Sequence, residues 1–471
     1  MNLTNNQMEL YAVAFCCGVG GQTLGLQQSE NEYKGIKGNF KMLAGYDNDA
    51  VACKNYERVT GSKAVCEDLF TREQFILFHG KEPPPGWEEL KASKVREQCG
   101  KTPDVVVMSP PCKGFSRLLP KKTAQLPKYQ ALNQLPERVF DLVLEAWFDD
   151  LPAILLMENV PGIRDKDRGR DVLKKIKTKL ALRGYVFHED LYDCGEWGGL
   201  GQHRVRYLLI ARLPSKVPDF VFQPPKLLMK SIGDILGPLP MPGDIEKGGK
   251  MHRIPNLAWR TWERLSLIPA GKDWRALENF GREQWKGAWR IVPWDEAANA
   301  VTSSTKGVGQ STGVSAVADP RKWSGAGNYG VMDWNEPAKT ITASGDIHAG
   351  AAAVADPRIP GPDDRGIYII IAADGTWHRP ITTYEMAMLQ GAPRTMRDGT
   401  PFELIDCSDG KAREYIGNMV PVQTATAIGN VLLETLMPNL IGDVHYGFSN
   451  FKIWVKGKFD EVRRYLNEDC N

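Results

Sequence analysis

The chain has 471 residues, 42% hydrophobic and 25% charged, with a formal net charge of +2. That is long for one compact core and points to two or three domains. The composition excludes a disordered chain and a collagen-like or coiled-coil rod, and no apolar run approaches the roughly 20 residues a bilayer requires. Nine cysteines, widely spaced and without a Cys-x-x-Cys pair, make no disulfide framework, and the seven histidines never fall at metal-ligand spacing. No metal is expected. The polar residues 1–9 lack a basic-then-apolar leader pattern, so the chain is expected in the cytoplasm. With 59 basic against 57 acidic side chains, any surface for a polyanion has to be a local patch.

Residues 9–16 (ELYAVAFC) read as a buried strand running into Gly18, Gly20 and Gly21 and then a helix. KMLAGY (41–46) predicts a second strand ending at Asp47, with a helix over 48–58. DVVVM (104–108) predicts a third, stopped by Ser109-Pro110-Pro111. A helical pattern through Val139, Leu142, Val143 and Ala146 leads to a fourth strand, AILLM (153–157). A basic amphipathic helix through Leu173, Ile176 and Leu180 follows, then strands at 185–188 and 205–211. Short apolar runs alternating with helices indicate an α/β fold, a doubly wound and mostly parallel sheet with its site at the carboxyl ends of the strands. Residues 1–212 form the first part of that domain.

After Arg212 prolines cluster and the alternation stops, so 213–378 is read as a second, smaller, β-rich domain. It contains an internal repeat. PWDEAANAVTSS (293–304) matches DWNEPAKTITAS (333–344), and each copy ends in VADPR, giving copies at 293–321 and 333–358. Two copies are too few for a solenoid and suggest duplicated β-hairpin units. Helical texture returns at 382–389 and 420–435. Residues 379–440 are therefore expected to pack back on the first domain, leaving 441–471 as a tail.

The glycine turn lets backbone amides approach a ligand, but position 23 is Thr where a dinucleotide fingerprint has its third glycine. A ligand without a pyrophosphate fits better. Asp47 stands where such folds bond ribose hydroxyls, and Asp68 is placed to take an adenine amino group. Cys112 follows two prolines at the end of a strand, where a helix N-terminus or Lys113 would favour its thiolate. Glu158 ends the neighbouring strand, where burial would raise its pKa and let it donate a proton. Alternation puts Gln202, Arg204 and Arg206 on one strand face, turned toward something anionic or rich in carbonyls. Each feature also has a plain structural reading: a tight turn, a buried cysteine, a solvated strand edge.

Taken in order, FCCGVGG, SPPCKGFS, MENVPG, QHRVR, RPITTYEMAMLQGAP and GNMVPV resemble the motif set of the cytosine-C5 DNA methyltransferases over most of the chain outside the repeat. The resemblance implies a fold of the S-adenosylmethionine-dependent methyltransferase type. It makes Cys112 the nucleophile toward C6 of a flipped-out cytosine and sets Glu158 on the N3 edge of the base. Asn159 would support the proline–cysteine loop, with Arg206 facing O2 and the sulfur and Arg204 toward the sugar-phosphate. S-adenosylmethionine would lie among Phe15, Gly18, Gly20, Gly21, Asp47, Asp68, Leu69, Pro110, Asn418 and Met419. Three positions depart from the family: Cys16 stands where it has Phe, with Phe15 one place earlier, Lys113 replaces Gln, and Met419 replaces Ser.

The implied partner is double-stranded DNA, bound by a monomer, with a cognate restriction endonuclease as its companion. Residues 213–378 fall where the family keeps its target-recognition domain. Candidate contacts are Lys113, Ser116, Gln202, Arg260 and Arg290, with hydroxyls from Thr302, Ser303, Ser304, Thr342 and Ser344. Eight of the thirteen tryptophans fall from Trp259 to Trp334, and core packing is the plain reading of each. The segment 113–134 is a candidate loop for closing over the base. Alternatives left open are the same chemistry on RNA, a DNA-binding relative without catalysis, and a donor other than unmodified S-adenosylmethionine.

Overall fold

The structure, a computed structural model, describes residues 2–4, 6–116, 120–220, 222–272, 275–277, 290–298, 300–301, 316–321, 331–333, 353–355 and 365–441. Its main sheet is built from β1 (Asn2–Thr4), β2 (Gln7–Phe15), β3 (Asn31–Tyr33), β4 (Ile36–Asp47), β5 (Ala64–Cys66), β6 (Val105–Met108), β7 (Ile154–Asn159), β8 (Val186–Asp193) and β9 (Val205–Arg212). The order is β3-β4-β2-β6-β7-β9-β8, with β1 beside β2 and β5 beside β4. Neighbours among β5, β4, β2, β6 and β7 run parallel, whereas β9 is antiparallel to both β7 and β8.

Helices cover both faces, which is why β6 is apolar at every position and β7 over its first four. In β6, Val106 and Met108 face one core and Val105 and Val107 the other. The first core is closed by α3 (Arg72–His79), α4 (Ala92–Cys99), α6 (Pro127–Ala146) and α7 (Arg170–Leu182), the second by α1 (Gly21–Gln27), α8 (Cys194–Gly198) and α14 (Val422–Leu440). So the last helix packs on the first domain. A Cβ on Gly25 of α1 would sit 2.4 Å from Ala425 Cβ; only glycine admits so close a crossing.

Two of these helices occupy ground that the sequence had suggested was loop. With α5 (Lys121–Ala124), α6 takes up the back half of the segment 113–134. Pro127 starts α6 because its fixed φ suits the first helical position. Between β4 and β5 lies α2 (Ala50–Thr60), capped by the Asp49 side chain.

The second region holds α9 (Ile232–Leu236), α10 (Ile245–Gly248), α11 (Trp259–Leu267), β10 (Leu257–Ala258), β11 (Ile291–Val292), β12 (Ala316–Asp319), β13 (Val331–Asp333), β14 (Ala353–Ala355), β15 (Arg365–Gly366) and β16 (Trp377–Pro380). The return segment adds α12 (Thr383–Leu389) and α13 (Asp409–Asn418). Among the described residues, the strands of the repeat do not pair as hairpins. The strand that leads into each copy pairs in parallel with the strand near its end, Ile291 with Ala316 and Val292 with Val317 in the first, Val331 with Ala353 and Met332 with Val354 in the second. These are matching repeat positions in one register. Parallel neighbours need a crossover instead of a tight turn, which accounts for the long link inside each copy.

The described tryptophans of this region serve packing. Trp262 is buried, donates from Nε1 to Gly366 O at 3.0 Å, and lies parallel to Trp377 with ring centroids 6.4 Å apart. Trp294 sits under the Arg321 guanidinium at 5.1 Å, so the start and the end of one repeat copy meet. Trp274, Trp285, Trp289, Trp323 and Trp334, the hydroxyls Thr302, Ser303, Ser304, Thr342 and Ser344, and the tail 442–471 lie outside the described residues. Among the described residues, no helix is long and apolar enough to cross a membrane, and no group of three or more His, Cys, Asp or Glu could hold a metal ion.

Candidate active site

Parallel strands end on one edge of a sheet, so the residues that follow β2, β4, β5, β6 and β7 gather there. Because β9 runs antiparallel to β7, with Asn159 opposite Tyr207, it is the start of β9 that reaches the same edge. A cavity of about 470 Å³ opens at this edge, and Asp47, Asp68, Cys112, Glu158, Arg204, Arg206 and Asn418 all line it.

One end of the cavity is shaped by the glycine turn. Gly18 (φ +52) and Gly20 (φ +93) adopt left-handed backbone. The Gly18 amide donates to Asp47 Oδ2 at 2.9 Å and the Asp49 amide to Oδ1 at 3.0 Å. Burial pushes the Asp47 carboxyl up, against the pull of those two amides. A Cβ on Gly21 would lie 2.2 Å from Met419 Cγ, so the turn and the segment after α13 form one wall. Asp68 accepts from the Phe70 amide (3.0 Å) and from Trp87 Nε1 (3.3 Å). Leu69, Phe70, Phe78, Leu132, Leu135 and Pro110 supply apolar lining. An apolar slot with carboxylates at two corners, in a cavity of this volume, suits a nucleoside-bearing ligand.

Phe15 is not part of that lining. Its side chain is fully buried, stacked on Tyr46 at 4.8 Å between ring centroids, and the next residue, Cys16, turns to the cavity instead. β2 ends at Phe15, and the left-handed backbone of Cys16 (φ +53) turns the chain there toward the cavity.

At the other end stands Cys112. Asn159 Nδ2 donates to Pro110 O at 3.2 Å, tying the proline segment to the end of β7. Among the described residues, those directly after Cys112 form a turn and not a helix, with the Phe115 and Ser116 amides both donating to its carbonyl, at 3.1 and 2.9 Å. Lys113 is engaged elsewhere: its Nζ pairs with Glu414 Oε1 at 2.6 Å. Glu414 also meets Lys411 (3.4 Å), which pairs with Asp49 (3.3 Å), and the Tyr415 hydroxyl donates to Asp49 at 2.7 Å. Neither expected support for a thiolate is therefore present. Burial pushes the Cys112 thiol up, Arg206 pulls it down, Glu158 pushes it up again, and the net direction is upward.

A consequence follows for the free protein. Alkylation of Cys112 by iodoacetamide should be slow at pH 7 and keep rising beyond the ordinary thiol range near pH 8.5, because the thiolate is the reactive form. Peptide mapping of the labelled chain across pH 6 to 10 checks this; a plateau reached below pH 8 would contradict it.

Glu158 is nearly buried and pairs with Arg206, Oε1 to Nε at 3.0 Å. Arg204 lines the cavity, but its guanidinium donates to three carbonyls, Val301 and Gly417 at 3.0 Å and Met419 at 3.2 Å. Burial and the nearby Arg206 push it down to about 9. It holds backbone from three segments together and is not turned out toward a sugar-phosphate. Gln202 is fully buried: its amide nitrogen donates to Leu389 O and Gln390 Oε1, both at 2.7 Å, and its oxygen accepts from the Val301 amide at 2.8 Å. Every polar atom of that side chain is used internally, which leaves none for a nucleic acid.

Ser116 lines the cavity, Arg260 lies on α11 and Arg290 is half-buried just before β11, the latter two outside the cavity lining. Lys411, Glu414, Tyr415 and Trp87 were missed by the sequence reading. They carry no local motif, and their partners lie far off in the chain. Asp49 was missed as well, inside the helix expected over 48–58; the signal that marks it is its place ahead of α2, that of a capping residue.

A mostly parallel sheet wound on both faces, with a nucleoside-sized cavity on its carboxyl edge, is the methyltransferase α/β fold. The chain belongs to the C-5 cytosine-specific DNA methylase family, whose model matches residues 11–434. Among solved structures it is similar to the Entamoeba histolytica methyltransferase EhMeth (15% identity, TM-score 0.52, 92% of this chain and 99% of that one). It is also similar to the S. pombe Dnmt2 methyltransferase (16%, 0.52, 91% and 99%) and to a Spodoptera frugiperda DNMT2 mutant (15%, 0.50, 91% and 99%). At such identities the likeness is one of fold. A comparison with curated proteins found no match.

Proposed function

We propose that this protein transfers a methyl group from S-adenosylmethionine to C5 of a cytosine in double-stranded DNA, with the base swung out of the helix. The observation that carries the reading is that Cys112, the Glu158–Arg206 pair and a nucleoside-sized slot share one cavity. Asp47 and Asp68 would hold the ribose and adenine of the donor, and the glycine turn with Asn418 would take its amino-acid end. When bound, the donor supplies an electrophilic methyl on a sulfonium.

Cytosine C5 is too electron-poor to attack that methyl unaided. The Cys112 sulfur adds to C6, the S–C6 bond forms as the C5=C6 π pair moves toward C5, and one hard step becomes two easier ones. As the sulfur adds, Glu158 takes the thiol's proton and passes it to the N3 edge, which cancels the charge that addition creates and is reversed when the sulfur leaves, while Arg206 steadies both the carboxylate and the sulfur. C5 takes the methyl, its proton leaves to a base, and the S–C6 bond breaks to restore the ring and the thiolate. Since C6 is shielded in a stacked duplex, the base has to be extruded, at about a few kcal/mol. The second region, 213–378, would supply contacts to the flanking DNA.

Incubating the protein with methyl-labelled S-adenosylmethionine and either duplex DNA or transfer RNA tests the reading. Label in DNA, at cytosines located by bisulfite sequencing, is the expected outcome. Label confined to RNA would move the substrate to the alternative, and retention of DNA with no transfer at all would favour a binder without catalysis.

A further inference from the structure

Two thiols outside the cavity converge on the turn that carries Asp47. Cys53 sits in the first turn of α2, and its Sγ donates to Asp47 O at 3.5 Å. Cys66 ends β5, directly opposite Asp47 in the sheet register, and its Sγ donates to Asn48 O at 3.9 Å. The two sulfurs thus rest on carbonyls of consecutive residues, near enough for each thiol to feel the other electrostatically. Cys66 is exposed and Cys53 buried. Neither belongs to the cavity lining.

We infer that Cys53 and Cys66 form a modification site, a dithiol that a peroxide converts to a disulfide and that thereby weakens donor binding. The effect on the donor rests on the reading of the cavity given above; the disulfide itself does not. The exposed Cys66 sulfur attacks the peroxide, so an S–O bond forms, the O–O bond breaks and one water leaves with the thiol's proton. The Cys53 sulfur then displaces the hydroxyl, so the S–S bond forms, the S–O bond breaks and the second water carries off the Cys53 proton. Two sulfurs are oxidised and one peroxide is reduced. Cys66 is the exposed thiol and burial pushes the Cys53 thiol up, so the first attack on the peroxide falls to Cys66.

The coupling to the cavity is short. A disulfide removes both S–H donors and sets the sulfurs about 2.05 Å apart, so the hydrogen bonds to the Asp47 and Asn48 carbonyls are lost. Asp47 O also accepts the Glu67 amide at 3.0 Å, one residue past Cys66 and one before Asp68. Closing the bond therefore displaces the turn between the two carboxylates assigned to the donor, Asp47 and Asp68.

The test treats the full chain with hydrogen peroxide, blocks the remaining thiols with N-ethylmaleimide, and maps tryptic peptides by mass spectrometry. The expected product joins MLAGYDNDAVACK to AVCEDLFTR, and calorimetry with S-adenosylmethionine should show affinity about tenfold lower, restored by dithiothreitol. Cys53→Ser and Cys66→Ser should each bind the donor as the reduced chain does and lose the peroxide effect. Absence of the cross-link, a bridge from Cys53 to Cys17 in its place, or a linked chain with undiminished affinity would overturn the inference. A reduced chain that fails to bind S-adenosylmethionine counts against the donor reading instead, and the cross-linked peptide still decides whether the dithiol closes.

Discussion

Replacing Cys112 with alanine is expected to lower methyl transfer by about 10⁴-fold or more, the scale seen when an essential nucleophile is removed. The side chain is small, half-exposed to the cavity and makes no hydrogen bond with its sulfur that the fold depends on, so the variant should fold and keep its affinity for S-adenosylmethionine. Duplex DNA carrying 5-fluorocytosine separates the covalent route from a purely positional one. With fluorine on C5 no proton can leave, so the adduct cannot eliminate, and the wild-type chain should migrate with the DNA on a denaturing gel. The alanine variant should not. Substantial transfer by Cys112→Ala, or no trapping of the wild type at its preferred site, would remove the thiol from the mechanism.

Loss of Arg379 should cost about 3–5 kcal/mol of stability, because it takes the close charged partner from the buried Glu385 carboxylate and leaves the buried Asp319 to Arg321 alone. Its Nε donates to Asp319 at 3.0 Å, and its two terminal nitrogens donate to the Glu385 oxygens at 2.9 and 2.7 Å, with all three side chains fully buried. Arg321 completes the cluster at 2.8 Å from Asp319. These contacts join β12 and β16 of the second region to α12 of the return segment, so Arg379→Ala should loosen that junction, read as a lower urea midpoint. Arg379→Lys should recover only part of the loss, since an ammonium cannot grip both carboxylates as a planar fork does.

The same cluster sets a pH dependence. Burial pushes the Asp319 and Glu385 carboxyls up, but the surrounding arginines outweigh it and hold both below their ordinary values. Groups with depressed folded pKa values stabilise above the unfolded pKa, near 4, and that contribution drains as pH falls below it. Wild-type unfolding free energy should therefore drop on acidification below about pH 4. In Arg379→Ala that part of the dependence should be diminished; equal slopes for the two proteins would contradict the assignment.

Local pattern carried a good deal of this protein. The strand at 105–108 was legible because four apolar residues end at two prolines, and that boundary also fixed Cys112 at a strand terminus. The same logic located Asp47 and Glu158. The long helix over 127–146 was seen only from Val139 onward, because its first turns carry lysine, glutamine and proline where an apolar face would otherwise announce it. The repeat was plain as a string of letters, yet its strands pair in parallel. A sequence motif records what recurs, not which way the recurring strands lie.

By itself, then, the sequence determined the wound α/β order and which chemical groups stand at strand ends, because both depend on residues close together in the chain. Tertiary structure alone decided what those groups meet. Lys113 finds Glu414 across 301 positions, Arg204 spends its guanidinium on backbone from two other segments, and Gln202 disappears into the junction with α12. The direction of β9 brings Arg206 onto Glu158, and enclosure keeps the Cys112 thiol protonated where neighbouring residues alone suggested a thiolate. Burial and long-range partners set the charge and orientation of a side chain, and neither is written in the residues beside it.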